Sequence, residues 1–298
     1  MAEWITGLEG TEAGKTLAMA LALFAAVVHA FFGAIQKGPR LDPWESRAAI
    51  DIFYGLLALP LVLFVVPFPE PHMWPIFAGV FLVHTGYKLA QAAAYSAGAY
   101  TVVYPVVRGT GPFFTIIGAY LLFEEVFTPV QWLGVFVLMA GILGLAAYNL
   151  VFQEVQRATL RPALALAVLT GLFVAGYTTW DAYGIRATAD PFTFIAWFFL
   201  IDAFFMPIYV ALVRRPAVRV GDWVRLGLPG AVLAYLSFGS ILLATRLDKV
   251  GEAAVLRETS TVFAAGIAWV MFGERVGPRR LALMALIAAG AVIVELGG

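Results

Sequence analysis

The sequence contains no cysteine, so disulfides and thiolate metal sites are both excluded. It is also poor in charge. Asp, Glu, Lys and Arg make up 13% of its 298 residues, about half the usual share of a globular protein. That is too little to solvate the surface of a soluble fold, and 62% of the residues are hydrophobic, with a mean hydropathy of +0.88. The natural solvent for such a chain is lipid. An excess of either charge is missing too. The formal net charge is zero, so nothing points to nucleic acid or to an acidic partner. The first fifteen residues hold three Glu and one Lys, where a secretory leader would have a basic start and a small-residue cleavage site. The first apolar stretch therefore reads as a retained helix. No HExxH motif and no Gly-x-Ser-x-Gly elbow occurs, so the sequence offers no catalytic residue, no metal site and no cofactor site.

What is present is a succession of long apolar runs. A helix needs about 20 apolar residues to cross a hydrocarbon core of about 30 Å. Ten stretches qualify, near 16–36, 47–67, 74–96, 101–123, 129–149, 162–184, 192–213, 224–245, 251–273 and 279–296. Short loops join them, leaving no room for a domain outside the membrane. Runs such as Leu160 to Thr179 do not alternate polar with apolar residues, as the strands of a membrane barrel would. Lipid tolerates only helices or closed barrels, so the expected fold is an all-α integral membrane protein.

The loops following the odd-numbered stretches carry twelve Lys and Arg, namely Lys37, Arg40, Arg47, Arg157, Arg161, Arg214, Arg215, Arg219, Arg225, Arg275, Arg279 and Arg280. The other side carries four, Lys15, Arg186, Arg246 and Lys249. The positive-inside rule then puts the first group in the cytoplasm and both termini outside.

Shifting the chain by 149 residues brings Arg108 onto Arg257, Thr110 onto Thr259, Phe114 onto Phe263, Glu125 onto Glu274 and Pro129 onto Pro278. Matched Arg, Glu and Pro in one register point to a duplication, with units at 1–149 and 150–298. Five helices per unit reverse the second unit in the membrane. Such inverted repeats are the usual architecture of secondary transporters, with the substrate near the midplane.

The run from Leu122 to Gly134, which contains Glu124-Glu125, Thr128, Gln131 and Gly134, resembles the Gly-Glu-x-x-Thr-x-x-Gln-x-x-Gly signature of EamA-type proteins. Gly273-Glu274 repeats its opening, while Glu124 replaces the first copy's Gly, and the second copy lacks the Gln and the following Gly. The resemblance implies the drug/metabolite transporter superfamily, ten helices in two inverted five-helix repeats, and export of amino acids, metabolites or drugs through the inner (plasma) membrane. Overall likeness and aromatic content are most similar to bacterial exporters of aromatic amino acids and of the cation methyl viologen. Small multidrug relatives exchange protons on a Glu in helix 1. Here helix 1 has only His29.

Three cations lie inside apolar stretches: Lys88, Arg108 and Arg257. A mid-membrane charge costs at least about 2.5–3.5 kcal/mol on insertion scales, so such groups face protein or a wet cavity. His84, Tyr87, Lys88, Gln91 and Tyr95 are spaced 0, 3, 4, 7 and 11, which lays them along one stripe of helix 3. The stripe is either a cavity wall or a hydrogen-bonded network tying helix 3 to its neighbours. Around Arg108, Tyr104-Pro105 and Gly111-Pro112 mark either a break that lines a cavity or a packing kink. Arg257 and Glu258 are adjacent and point about 100° apart on a helix. Asp51, Asp181 and Asp202 are further acids at membrane depth. Tyr177, Trp180 and Asp181 share a face of helix 6, with Tyr235 in helix 8. Trp180 fits an interfacial anchor as well as a ligand contact. A zwitterionic amino acid would suit these groups, its carboxylate on Arg108, Arg257 or Lys88 and its ammonium near Glu258 or Asp181. Glu125 and Glu274 fit structural roles at the turns after helices 4 and 9. The expected partners are a small-molecule substrate and the bilayer, and nothing in the sequence requires more than a monomer.

Overall fold

The computed structural model describes residues 2–36, 41–98, 100–152, 157–272 and 277–298, and the described residues form helices and connecting turns without a strand. After the short α1 (Ala2–Thr6) come α2 (Glu12–Ile35), α3 (Pro43–Phe64), α4 (Met73–Ala97), α5 (Tyr100–Phe123) and α6 (Pro129–Phe152). Then follow α7 (Arg157–Ala187), α8 (Pro191–Asp202) and α9 (Phe205–Tyr209), the last continued by a π-helical turn, Val210–Arg214. The chain ends with α10 (Val220–Leu247), α11 (Val250–Glu258), α12 (Ser260–Phe272) and α13 (Pro278–Leu296).

The local chemistry explains where these helices start. Thr11 accepts the Gly14 amide at the start of α2, Asp42 accepts the Glu45 amide before Pro43 of α3, and Asp190 accepts the Phe192 amide before Pro191 of α8. Large apolar side chains such as Phe64, Leu82, Leu121 and Leu212 point outward. Such a surface suits lipid and would be untenable in water.

The helices fall on the expected stretches to within a few residues. Among the described residues, seven segments are long and apolar enough to cross a membrane: 12–35, 43–64, 102–123, 129–152, 160–187, 191–214 and 220–247. The other three expected spans have visible reasons for missing that standard. α4 carries His84, Lys88 and Gln91, residues 250–272 are broken at Thr259, and α13 carries Arg279, Arg280 and Glu295. Glu274 and Arg275 lie outside the described residues, as do Lys37 and Arg40.

The breaks are not where the prolines of α5 suggest. α5 runs unbroken through Pro105 and Pro112, so these residues do not open that helix. The interruptions are in the second half of the chain, at Ala203–Phe204 between α8 and α9 and at Thr259 between α11 and α12. Pro207 accounts for the first, because its ring displaces the carbonyl four residues earlier. The second has no proline.

The main packing partners are α6 with α13, α5 and α4 with α7, α12 and α10 with α2, and α3 with α8 and α10. α6 and α13 meet through small residues. A Cβ added at Gly134 would sit 2.7 Å from the Gly290 carbonyl oxygen, and one at Gly290 2.5 Å from the Leu138 amide nitrogen. Backbones this close exclude any side chain. Gly134→Val is therefore expected to cost about 1–3 kcal/mol through overpacking. Thermal unfolding in detergent checks this, and an unshifted midpoint would contradict the contact.

Candidate functional site

A cavity of about 140 Å³ lies among α2, α3, α4, α5, α7, α8, α10 and α11. By the same measure a single water needs about 10–15 Å³, so the space suits a small molecule. Its wall begins at Gln36, Pro43 and Tyr95, near the ends of α2, α3 and α4 on one face, and reaches inward to Ser237, Phe238 and Arg257. No lining residue comes from the opposite helix ends.

Those opposite ends are sealed by ionic contacts. Arg186 lies 3.2 Å from Glu125 and donates to the carbonyls of Thr245 and Asp248, both at 2.8 Å. Arg246 pairs with Glu9 at 2.6 Å and donates to the carbonyls of Ile185 and Thr188. Gln131 donates to Glu252 at 2.6 Å, and Lys249 pairs with the same carboxylate at 2.9 Å. Glu125 also accepts the backbone amides of Val250 and Gly251, at 3.0 and 3.2 Å. Its structural role therefore extends beyond its own turn, to the start of α11, where a carboxylate suits the helix dipole.

Inside the cavity, aromatic rings form one wall. His84 stacks on Tyr177 at 4.6 Å and meets Phe198 edge-on at 4.9 Å. Tyr87 contacts Tyr177 at 4.9 Å, and Phe198 stacks on Phe238 at 5.0 Å. His84 is fixed from behind by Asp181, with Nε2 2.8 Å from Oδ2. Gln91 Nε2 and the Tyr87 hydroxyl form a tight hydrogen bond at 2.5 Å.

The buried cations fall into two groups. Lys88 is fully enclosed. Its ammonium lies 2.6 Å from Asp51 and 2.8 Å from Asp202, and it donates to the Tyr54 hydroxyl and to the Asp202 carbonyl at 2.8 and 2.6 Å. Tyr54 in turn donates to Asp202 Oδ2 at 2.6 Å, and Arg47 reaches Asp51 at 2.9 Å. Arg108 Nε lies 2.8 Å from Glu258, and its NH2 group donates to Ser260 Oγ at 2.6 Å and to the Arg257 carbonyl at 3.2 Å. Residues 149 apart in sequence thus meet in space. Arg257 belongs to neither pattern. It is 4% exposed, lines the cavity, and its side chain has no hydrogen-bond or ion-pair partner among the described residues.

The structure thus gathers His84, Tyr87, Lys88, Gln91, Tyr95, Tyr104, Arg108, Tyr177 and Arg257 on the cavity wall. It leaves four expected residues off that wall. Trp180 donates its indole N–H to the Ile76 carbonyl at 2.9 Å. Tyr235 stacks on Phe199 at 4.2 Å. Asp181 stands behind His84, and Glu258 is held by Arg108. Neither acid is therefore presented to a ligand's ammonium. Sequence reasoning missed His29, Arg47, Tyr54, Phe198, Asp202 and Phe238 as cavity residues. For Asp202 the available signal was an acid at membrane depth just before Pro207. The aromatics carried none.

Comparison with known proteins bears on this arrangement. The profile of the EamA-like transporter family matches residues 16–147 and again residues 161–296. The chain belongs to the EamA-like transporter family. It is a multi-pass membrane protein of a family of small-molecule transporters, not enzymes. A solved crystal structure shares this EamA fold, with a TM-score of 0.76 over 96% of this chain and 98% of that one at 17% identity. No curated protein matches the sequence.

For this family member, removing one partner of the buried Arg108–Glu258 pair should be costly, because the other charge stays in low dielectric. Arg108→Ala is expected to destabilise by about 3–5 kcal/mol. The double substitution Arg108→Met with Glu258→Gln, which removes both charges, should recover most of that loss. Thermal unfolding of the purified variants decides, and equal losses in the single and double variants would count against the pair.

Proposed function

We propose that this protein is a secondary transporter that exports amino acids, aromatic ones included, or related small carboxylates by alternating access. The observation that carries this reading is the guanidinium of Arg257, which makes no hydrogen bond or ion pair among the described residues and has the Glu258 and Asp181 carboxylates only at longer range. A charge at this depth costs energy unless something compensates it. The paired state of Arg47, Lys88, Arg108 and Arg246 makes Arg257 the group poised for a carboxylate. The rings of His84, Tyr177, Phe198 and Phe238 supply a surface on which an aromatic side chain can stack. With Asp181 and Glu258 off the wall, a ligand's ammonium would meet tyrosine faces and hydroxyls instead. The same rings would accept a flat cation such as methyl viologen, but a free guanidinium repels one. A channel fits poorly, since ion pairs close the far face.

Ten spans in two inverted five-helix units, 1–149 and 150–298, complete the reading. It is supported by the two family matches, by the 149-residue register, and by packing partners that map onto each other. α5 on α7 corresponds to α12 on α2, α4 on α7 to α10 on α2, and α6 on α13 to itself exchanged. The open face carries the loops rich in Lys and Arg, which suits loading from the cytoplasm and export through the plasma membrane.

Liposomes loaded with unlabelled amino acids test the proposal by uptake of labelled phenylalanine, with other amino acids and methyl viologen as competitors. Saturable, exchange-stimulated uptake is expected. Arg257→Gln should raise the half-saturating concentration about tenfold or more, the worth of about 1.4 kcal/mol, while leaving the thermal midpoint in place. A folded Arg257→Gln variant with unchanged transport would reject the assignment of the carboxylate to Arg257.

A further inference from the structure

The Lys88 cluster has a property that substrate binding does not use. Two carboxylates from different halves of the chain, Asp51 on α3 and Asp202 on α8, share one ammonium. With Arg47 beside them, two positive and two negative charges balance in a buried site. Asp202 is the last residue of α8, and the interruption at Ala203–Phe204 follows it directly. Its backbone carbonyl accepts from Lys88 at 2.6 Å and from Tyr54 at 3.3 Å. One lysine therefore holds both the carboxylate and the carbonyl at the helix break. Of the two acids, only Asp202 lines the cavity, so only it has a path from the aqueous face.

We infer that Asp202 is a proton-binding site whose protonation unlatches the α8–α9 break, so that a proton serves as the coupling ion. The inference rests on the carrier reading for its transport consequence, but the latch itself is independent of any substrate. The ammonium of Lys88 already fills the space between the carboxylates, so a metal cation would have to displace it, whereas a proton needs no room. A proton on Asp202 neutralises the carboxylate and leaves the cluster with one surplus positive charge. A low-dielectric site does not hold an unbalanced charge. Arg47 and Lys88 both border the cavity, and the surplus is relieved when one of them turns towards its water. If Lys88 turns, the break loses its donor and the two halves lose their bridge. Asp202 is faced from α3 by Arg47, Asp51 and Tyr54, from α4 by His84 and Lys88, and from α7 by Asp181. On α10, Tyr235 stacks on Phe199, one turn before Asp202. His84 and Asp181 are paired with each other. The site thus has one acid that at once lines the cavity, joins the two halves and is attached to the break.

The absence of cysteine makes the test direct. Cysteines placed at the exposed positions Ser96, at the end of α4, and Val218, before α10, take spin labels on the two halves. Distances are read on the full-length protein in nanodiscs without substrate, between about pH 3 and about pH 8, a window that spans ordinary carboxylate and imidazole titration. The expected result is a pH-dependent shift between two distance distributions. Asp202→Asn should lose the shift and hold the acidic distribution at both pH values, and Asp202→Glu should restore a shift at a moved midpoint. A parent protein with one distribution throughout would overturn the inference. So would a shift that survives in Asp202→Asn, or one removed by His84→Gln while Asp202→Asn keeps it. If Asp202→Asn does not fold, an unmoved midpoint in Asp202→Glu overturns it equally. In liposomes, Asp202→Asn should lose accumulation driven by a proton gradient. A pH-dependent shift in a protein that transports nothing would uphold the latch and sink only the carrier reading.

Discussion

A helix interrupted inside lipid frees backbone carbonyls with no water to receive them, and they must find donors within the protein. Among the described residues two helices are interrupted in the second half of the chain, and each break is met by a cation from the first half. Lys88 holds the Asp202 carbonyl, and Arg108 holds the Arg257 carbonyl. Each cation also takes a carboxylate beside the break, Asp202 in one case and Glu258 in the other. Placing these charges at membrane depth is costly. The cost is offset only because each charge neutralises another and mends a backbone defect at once. The cavity exists where it does because these two joints bring α3, α4 and α5 against α8 and α11.

The two faces of the molecule follow from the same economy. On the open face the lining combines aromatic and amide groups, among them Tyr87, Gln91 and Tyr95 along one stripe of α4, with charged side chains such as Arg47, Asp202 and Arg257. On the closed face several polar side chains hold elements together. Arg186 and Arg246 each satisfy two backbone carbonyls beside their carboxylates. Such multi-point arginines resist piecemeal loosening, because losing one contact leaves the others in place.

Much of this was legible in the sequence because lipid imposes simple rules. Apolar length fixed the helix positions to within a few residues, and the rarity of charge singled out Lys88, Arg108 and Arg257. The stripe on α4 followed from helical spacing alone. The tertiary partners were not legible. Pro105 and Pro112 were as suggestive as Pro207, yet α5 stays whole and the α8–α9 segment does not. The break at Thr259 has no local signal, since it depends on an arginine 151 residues earlier. Likewise, Glu258 and Asp181 looked like ligand contacts because an acid at depth attracts that reading, and only packing reveals Arg108 and His84 in front of them.

The contact of α6 with α13 has a further consequence. With Gly134, Gly141 and Gly290 pressed against the opposing helix, the two backbones have no slack to slide or part. Those helices come from opposite halves of the chain, yet α6 and α13 contribute nothing to the cavity wall. In the alternating-access reading proposed above, this pair would stay together while the remaining helices swing around it. On that reading the glycines would make the pair a fulcrum, whose stiffness would set where the halves turn and whose distance from the cavity would set how far the walls travel for a small rotation.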